Sequence, residues 1–489
     1  MKKYAYYLIC AAFIFSVMPF AMGNAKAVAN PPPGEASTPS DHLTGLQPPE
    51  ASQRYYLPLI HNGRYQEVIE DSIFGVESGS VRTDNMDLMS EAGTKWVRVN
   101  GLLWSQAEPV QGQIDWQSDT IKKMELELDE ANKQGYELIY IVRTVPVWAR
   151  QYPSSECGPI REDKLNAFGD FMQEMVTYFS STPYNLVYWE MGNEPDAPIN
   201  DATFPFGCWG VPEDDYYGGG YYGEMLKYVY PKMKAANPDI QILVGGLLLD
   251  CDPINPPEIS PGEFKDCRSS KFLEGILRNG GGPYFDGVSF HGYEYYQGAL
   301  GHYSNSNWHS SWDTTGPVID AKIDYIKNVL WSYQQGGKYI VSTEVAMLCD
   351  TNCTEDFEAT KANYLAQVYA DASFIGLLAN IWYDVNGSWR NSGLIDHGEP
   401  LPAYDAFQTS HMEIDGPDAI VDISDGWLRG YEFQFPDRRV WVIWAQDGSS
   451  HTYTLPGTPY RIKDIYGNNL PVSQVINVNY NTLYIEWLP

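Results

Sequence analysis

From about residue 70 to residue 414, short apolar and β-branched runs alternate with longer amphipathic stretches. This alternation is typical of repeated βα units, because strands give short runs and helices give a period near 3.6 residues. Helical periods cover residues 161–179, 222–236 and 318–333. The pattern predicts eight strands: Ile73–Val76, Trp96–Asn100, Glu137–Arg143, Leu186–Met191, Ile240–Gly245, Gly287–His291, Tyr339–Thr343 and Leu378–Tyr383.

Several predicted strands are apolar at successive positions, as expected where both faces of a parallel sheet are covered. Eight such strands close a barrel, so we predict an α/β fold with a (β/α)8 TIM barrel over residues 70–414. The alternative is an open doubly wound sheet, which carries a GxGxxG turn after its first strand when it binds dinucleotides. No such motif follows Ile73–Val76. The closed barrel is therefore favoured.

Beyond residue 415 the pattern changes to short alternating segments such as YEFQF, RVWVIWAQ and NTLYIEW, separated by Gly, Asn, Asp and Pro. It predicts a small C-terminal antiparallel, β-sandwich-like domain over residues 415–489. A carbohydrate-binding module is one interpretation. An accessory sheet packed on the barrel is the favoured one, because small sheets need a partner surface for stability.

The beginning of the chain has the pattern of a secretory signal peptide over residues 1–29: MKK, an apolar stretch over 8–22 and AVA at 27–29. That stretch is shorter than the roughly 20 residues that span a bilayer. We therefore expect a secreted or cell-surface protein with no membrane span after signal removal. Residues 30–69 are rich in Pro and Ser, which predicts a linker or disordered lead-in.

The net charge of the chain limits the binding partners that are expected. The chain has 32 Lys and Arg against 63 Asp and Glu, a formal net charge of −31, and such a field repels phosphate backbones. Nucleic acid is therefore not expected as a partner. Aromatic residues make up 14% of the chain, which fits either ordinary packing or stacking on sugar rings. The oligomeric state stays open.

Six cysteines remain once Cys10 is removed with the signal peptide, and an even count in an exported chain favours disulfides. Six cysteines allow 15 connectivities. Zinc binding is the alternative, but CxxC couplets and His at ligand spacing are absent, so no metal site is expected. The spacing offers two local pairs, Cys251–Cys267 and Cys349–Cys353, which leaves Cys157 to pair with Cys208.

Two glutamates follow strand ends, where barrels of this type place catalytic groups. Asn193-Glu194-Pro195 follows the fourth strand and Glu344 follows the seventh. A lone Glu at a strand end is usually a capping or ion-pairing residue. A pair at one mouth is what glycosidic cleavage requires, since one carboxyl group protonates the leaving oxygen and the other attacks or activates water.

Asn193-Glu194-Pro195 after a strand, with Glu344 three βα units later, resembles the barrel glycoside hydrolases of clan A over about residues 70–410. The resemblance implies that Glu194 is the acid/base, that Glu344 is the nucleophile and that the anomeric configuration is retained. It also implies that Asn193 contacts the sugar 2-hydroxyl.

Further positions resemble family 5 of that clan: Arg98 in the second strand, His291 and Tyr293 in FHGY, and Trp382 in the eighth strand. We expect Arg98 and Tyr293 to donate hydrogen bonds to Glu344, His291 to border the pocket, and Trp382 to lie flat beneath the sugar. Family 5 usually delivers a His from its third strand, which here reads IVRTVPVWA. This segment and WSQAEPVQGQIDW are more similar to family 39.

Other residues near strand ends are weaker candidates. Glu190 is expected to be a buried, hydrogen-bonded barrel residue, and Asp196 and Glu294 are expected in exposed loops that contact substrate. Five aromatic residues after strand ends are expected either to stack on neighbouring sugars or to pack within loops: Trp104, Trp148, Trp209, Tyr295 and Tyr296.

The sequence thus predicts a secreted retaining β-glycoside hydrolase that cleaves a carbohydrate substrate by double displacement, with no cofactor. We expect the charge of Glu344 to raise the pKa of Glu194. The alternative is a catalytically silent glycan-binding protein on the same barrel. A serine esterase or metalloprotease is disfavoured because neither GxSxG nor HExxH occurs.

Overall fold

The computed structural model describes residues 72–199, 207–296, 303–304, 307–314, 316–350, 353–354, 356–387 and 389–489. The predicted signal peptide and lead-in lie outside the described residues. Within the described ranges, no helix combines the length and apolar character needed to cross a membrane.

The described residues up to Ile414 form eight parallel strands, each followed by a helix. The strands are β1 (Phe74–Ser78), β2 (Trp96–Leu103), β3 (Glu137–Arg143), β4 (Tyr188–Asn193), β5 (Gln241–Leu247), β6 (Gly287–Tyr295), β7 (Tyr339–Leu348) and β8 (Asn380–Trp382). The helices are α1 (Met86–Glu91), α2 (Asp119–Gln134), α3 (Leu165–Phe179), α4 (Gly219–Ala236), α5 (Phe272–Arg278), α6 (Val318–Ser332), α7 (Asp356–Ile375) and α8 (Pro402–Ile414).

The strands close into a barrel because β8 pairs with both β7 and β1, and every neighbouring pair is parallel. The predicted TIM barrel is confirmed. Strands β6 and β7 run on to Tyr295 and Leu348, past their predicted ends at His291 and Thr343. The polar side chains at the end of β6 are buried among partners within the barrel. A prediction that relies on apolar residues alone therefore ends this strand too early.

The interior of the barrel is layered. Fully buried apolar side chains near the starts of the strands pack together although not all of their strands are neighbours, so they fill the barrel between the strands. They include Trp96, Ile139, Leu243, Val341 and Ile381. Side chains alternate between the two faces of a strand. The next inward position after Trp96 is therefore Arg98, one layer higher.

The C-terminal strands are β9 (Ala419–Asp422), β10 (Leu428–Gln434), β11 (Arg439–Ala445), β12 (His451–Thr454), β13 (Arg461–Lys463), β14 (Asn469–Leu470), β15 (Val475–Val478) and β16 (Leu483–Trp487). They form a six-stranded antiparallel sheet, β9-β10-β11-β16-β13-β14, and a second sheet, β12-β15. Tyr431 and Tyr484 on one face join the core that packs under the barrel helices, whereas Ile443 and Ile485 on the other face pack with Val478 of the second sheet. This arrangement fits the favoured interpretation, an accessory sheet packed on the barrel.

Buried polar contacts fix the sheet against the barrel. Asp371 of α7 is fully buried and accepts hydrogen bonds from the Tyr431 hydroxyl at 2.5 Å and from Arg429 at 3.1 Å. The ring of Phe374 stacks on Tyr431 at 4.8 Å. The domain is therefore joined to α7 by directional contacts as well as by apolar packing.

Among the described residues, three disulfides join the six predicted partners: Cys157–Cys208, Cys251–Cys267 and Cys349–Cys353. The six cysteines follow β3, β4, β5 and β7, so all three bonds lie at the carboxyl ends of the strands. This is the face on which the strand-end glutamates also lie.

Candidate active site

Glu194 directly follows β4 in an uncommon backbone conformation. Its φ is 48°, in the left-handed region, which costs a non-glycine residue about 1–3 kcal/mol and persists only where the surroundings hold it. Here its N–H donates to the Gly246 carbonyl of β5 at 2.8 Å. A β-carbon on Gly246 would lie 2.3 Å from Nε2 of His291. Glycine at this position therefore makes room for the imidazole beside Glu194.

Glu344 lies at an irregularity in β7. Ser342 is opposite Phe290 of β6 and Glu344 is opposite His291, so Thr343 is an extra residue in the register. Such bulges re-aim side chains and are frequent beside active sites. The bulge places Glu344 across from His291.

The two glutamates face one small space. A carboxylate oxygen of Glu194, a carboxylate oxygen of Glu344 and a ring nitrogen of His291 all lie within 4.8 Å of one another. Nδ1 of His291 is 2.9 Å from Glu194 and 3.3 Å from Glu344. Glu194 is 7% exposed and Glu344 is 6% exposed. The carboxyl pair is thus buried, yet it retains some contact with solvent.

Both expected hydrogen bonds to Glu344 are present. Arg98 donates to one carboxylate oxygen and the Tyr293 hydroxyl donates to the other. Arg98 also donates to Asn193 at 2.6 Å and to Glu190 at 2.7 Å. The guanidinium therefore fixes Glu344 and Asn193 relative to each other.

Glu77, at the end of β1, is a site residue that the sequence reasoning missed. Its carboxylate accepts from Arg98 at 2.5 Å and from Asn100 at 3.0 Å. Together with Glu190 and Glu344, three buried carboxylates share one fully buried guanidinium. Side chains alternate between the two faces of a strand, so Glu77, two residues after Gly75 in FGVES, lies on the inward face. This alternation is the sequence signal that could have identified it.

Burial raises the pKa of Glu194 to about 7, against the opposing effects of the Arg98 and Lys322 cations. The main cause is therefore desolvation, not the charge of Glu344 that the sequence analysis expected. Burial also lowers the pKa of His291 to about 4, so its imidazole is neutral near pH 7. Burial, followed by the charge of Glu344, holds the pKa of Tyr293 well above its usual range, and its hydroxyl stays a donor.

Trp382 does not have the exposed face that the expected sugar contact needs. The side chain has no exposed surface, and its indole N–H donates to the Ser392 carbonyl at 3.0 Å. Its ring packs beside Tyr364, 6.2 Å away. The Tyr293 ring instead has edge contacts with the rings of Tyr383, Trp389 and His291.

Asp196 and Glu294, expected in exposed loops, are buried. Asp196 accepts hydrogen bonds from the N–H groups of Leu248 and Leu249, both at 2.9 Å, and so ties the loop after β4 to the loop after β5. Lys322 of α6 donates to the His291 carbonyl at 2.7 Å. These buried groups stabilise the segments that carry the site residues. Their hydrogen-bond partners are distant in the sequence, so a local sequence pattern could not indicate them.

Most of the aromatic stacking candidates are packing residues. Trp104, Trp209 and Tyr296 are buried, whereas Trp148 and Tyr295 are half-buried. Glu190 matches its expectation, since it is fully buried and accepts hydrogen bonds from Arg98 and Ser289.

No protein-family model and no curated protein sequence matches the chain. Solved structures do match. A family 39 glycoside hydrolase from the gut symbiont Bacteroides cellulosilyticus WH2 gives a TM-score of 0.62 at 18% identity, covering 85% of this chain and 81% of that protein. A monomeric β-xylosidase from Caulobacter crescentus CB15 gives 0.55 at 13% identity, with coverage of 85% and 96%. A family 30 subfamily 8 xylanase from Clostridium acetobutylicum gives 0.54 at 13% identity, with coverage of 85% and 96%.

At these identities the similarity establishes the fold, and it extends over most of both chains in each comparison. The structural neighbours are glycoside hydrolases, including one of family 39. The resemblance identified from the sequence is therefore confirmed at the level of fold.

Proposed function

We propose that this protein is a retaining β-glycoside hydrolase, with Glu344 as the nucleophile and Glu194 as the general acid/base. The observation that carries the proposal is the buried carboxyl pair, whose oxygens lie within 4.8 Å of each other in different environments. Glu344 accepts hydrogen bonds from Arg98 and Tyr293, whereas burial raises the pKa of Glu194 to about 7. Two carboxyl groups in different environments can take the different roles of nucleophile and general acid.

The spacing supports retention of configuration. Carboxyl groups in retaining enzymes are about 5–5.5 Å apart, whereas inverting enzymes keep them about 6.5–9.5 Å apart to admit a water molecule. One carboxylate oxygen of Glu194 and one of Glu344 lie within 4.8 Å of each other, which is nearer to the retaining than to the inverting spacing.

In the first step, a Glu344 oxygen attacks the anomeric carbon while Glu194 gives its proton to the glycosidic oxygen. The bond from the anomeric carbon to the leaving oxygen breaks, a glycosyl ester forms on Glu344, and Glu194 becomes a carboxylate. Arg98 and Tyr293 hold the attacking carboxylate in place. The Oδ1 atom of Asn193 is fixed by Arg98, which orients its amide N–H for the sugar 2-hydroxyl.

In the second step, Glu194 takes a proton from water and the water oxygen attacks the anomeric carbon. The ester bond breaks, Glu344 is again a carboxylate and Glu194 is again protonated. The neutral His291, 2.9 Å from Glu194, stays close to this carboxyl group throughout. The steps balance without a cofactor or metal.

The proposal places the enzyme outside the cytoplasm, because the sequence begins with a signal-like segment and three disulfides join loops of the described residues. The structural neighbours include a xylanase and a β-xylosidase. Xylan and xylosides are therefore the first substrates to try.

The test measures product release from β-linked polysaccharides and aryl β-glycosides by the intact protein, Glu344→Ala, and Glu344→Ala with azide. We expect hydrolysis to be lost in the variant and restored by azide as an α-glycosyl azide. Glu413→Ala is a matched control, because Glu413 is also a buried, ion-paired carboxylate but lies at the interface with the β domain. It should keep its activity and should not respond to azide.

A chelator should leave the activity unchanged. Binding of a polysaccharide without cleavage by the intact protein would contradict the proposal in favour of the silent glycan-binding protein. Cleavage with inversion of configuration would contradict the assigned roles of the two glutamates.

A further inference from the structure

A short segment between β6 and α6, residues 307–314, contacts both the C-terminal domain and the loops at the catalytic end of the barrel. We call it the bridging segment. Connecting segments usually run over the protein surface, but Trp308 and Trp312 of this one are 3% and 1% exposed. The two tryptophans pack against different parts of the molecule.

Trp308 contacts the C-terminal domain. Its ring centre lies 5.3 Å from that of Tyr364 in α7 and 6.1 Å from that of Tyr480, which lies between β15 and β16. Two hydrogen bonds fix Tyr480 to α7. Its hydroxyl donates to the Thr360 carbonyl at 3.2 Å, and its carbonyl accepts from the Gln367 side chain at 3.1 Å. Tyr480 therefore presents a fixed ring to Trp308.

Trp312 contacts the loop that supports the acid/base. Its indole N–H donates to the Leu249 carbonyl at 2.7 Å, and the Leu249 N–H donates to Asp196 at 2.9 Å. Asp196 lies two residues after Glu194 in the sequence. Leu249 has a φ of 48°, in the left-handed region that side chains with a β-carbon disfavour. Its conformation therefore depends on contacts such as the one from Trp312.

The bridging segment also pairs with the strand that holds the nucleophile. His309 pairs with Tyr295 at the end of β6. Tyr293, two residues earlier on that strand, donates its hydroxyl to Glu344. The segment thus reaches both catalytic walls from one contact with the C-terminal domain.

We propose that Tyr480 is a positioning residue for Glu194, acting through Trp308 and Trp312. Loss of the Tyr480 ring frees the bridging segment and, through Leu249, loosens the loop that carries Glu194. Small misplacements of a catalytic group lower the rate strongly. The inference rests on the proposed function, and it gives the C-terminal domain a part in catalysis beyond packing on the barrel helices.

The first test measures kcat/KM of Tyr480→Ala on two glycosides of the sugar that the protein cleaves, one with an alkyl and one with a 2,4-dinitrophenyl aglycone. An alkoxide needs a proton from Glu194 to leave, whereas dinitrophenolate leaves without one. We expect kcat/KM to fall about 10-fold on the alkyl glycoside and less than about 2-fold on the dinitrophenyl glycoside. Tyr480→Phe should behave like the intact protein, because it keeps the ring.

The second test does not depend on activity. Hydrogen–deuterium exchange of the Leu248 and Leu249 N–H groups, which donate to Asp196, should be about 3- to 10-fold faster in Tyr480→Ala. If Tyr480→Ala does not fold, Tyr480→Leu takes its place, because it keeps apolar bulk and loses the ring.

Phe374→Ala is the matched control. Phe374, like Tyr480, is a partly buried aromatic residue where α7 meets the C-terminal domain, and its ring stacks on Tyr431. It lies about 20 Å from Thr360 along the helix, at 1.5 Å per residue. This variant should keep the exchange rates of Leu248 and Leu249 and the ratio of kcat/KM for the two glycosides.

Equal losses on the two glycosides in Tyr480→Ala, or exchange rates that match those of Phe374→Ala, would overturn the positioning role and leave the proposed function intact. Absence of cleavage of both glycosides by the intact protein would overturn the proposed function. The exchange rates would still show whether Tyr480 holds the loop after β5.

Discussion

The lower and upper layers of the barrel interior differ in chemistry although they are equally buried. The lower layer contains Trp96, Leu243 and Ile381, whereas the upper layer contains Arg98 and its carboxylate partners. Trp96 and Arg98 are adjacent inward positions on one strand, and each is at most 1% exposed. A two-residue step along β2 therefore separates a region that holds the barrel together from one that arranges charge.

The two layers also differ in what they contribute to stability. Burying a Leu or Ile side chain stabilises the fold by roughly 1.5–3 kcal/mol. Burying charges costs desolvation energy that pairing only partly offsets, and removing one partner leaves the others without compensation. The upper layer is thus expected to contribute less to stability than the lower layer, and the following predictions test this difference.

The largest effect is expected from Glu344→Ala. Loss of the nucleophile should lower kcat by at least about 10⁴-fold. The melting temperature should change little, since Arg98 keeps Glu77 and Glu190 as partners. Kinetics and thermal unfolding of the same preparation measure both. A variant that loses less than tenfold in kcat would contradict the assigned role.

Arg98→Met should destabilise the fold by about 3–5 kcal/mol, because Glu77, Glu190 and Glu344 lose their shared cation. Denaturant unfolding at pH 7 measures the change. Arg161→Met is the control, since its ion pair with Asp163 is exposed on both sides and such pairs contribute at most about 1 kcal/mol. Similar losses in the two variants would contradict the account of the upper layer.

Leu243→Ala, in the lower layer, should lower the free energy of unfolding by about 2–4 kcal/mol through loss of burial and formation of a cavity. At temperatures where the variant is folded, kcat should match that of the intact protein. If kcat falls together with stability, the two layers are not separable in function.

The smallest effect concerns pH. Because burial raises the pKa of Glu194 to about 7 and the acid must be protonated, kcat/KM should fall as pH rises above about 7. The Lys322 cation lowers this pKa, so Lys322→Met should move the basic limb of the pH profile upward by less than about one unit. A downward shift would contradict this assignment.

The same carboxyl group links stability to pH. A folded-state pKa of about 7 against the ordinary 4.5 means that the Glu194 contribution is complete below pH 4.5 and is lost as pH rises through 7. Unfolding measured across this range should therefore show a smaller decline for Glu194→Gln than for the intact protein. An equal decline in both would contradict the raised pKa.

The order of strands could be predicted from the sequence, because apolar runs are local signals, whereas the main partners of Glu344 are expected from the resemblance to family 5. The roles of buried polar residues could not be predicted. Asp196 accepts hydrogen bonds from the N–H groups of Leu248 and Leu249, and Glu77 accepts one from Arg98. Tertiary contacts therefore decide whether these residues are buried. A polar residue near a strand end looks the same in sequence whether it is buried or exposed.

Aromatic residues show the same limit. Trp382 ends the last barrel strand and Trp389 follows it. Trp382 is fully buried, whereas Trp389 is 43% exposed. The segment that contains Trp389 is held by hydrogen bonds of Asn391 with Lys361 and Cys349, which are distant from one another in the sequence. Spacing along the chain carries no signal for such contacts.

Trapping of the glycosyl-enzyme tests the central claim most directly. The intact protein is incubated with an activated 2-deoxy-2-fluoro glycoside of the sugar that it cleaves, and the intact mass and digested peptides are then measured. The account predicts one added fluoroglycosyl group, located on the peptide that contains Glu344. A label on another residue, or turnover to a product of inverted configuration without a label, would contradict it.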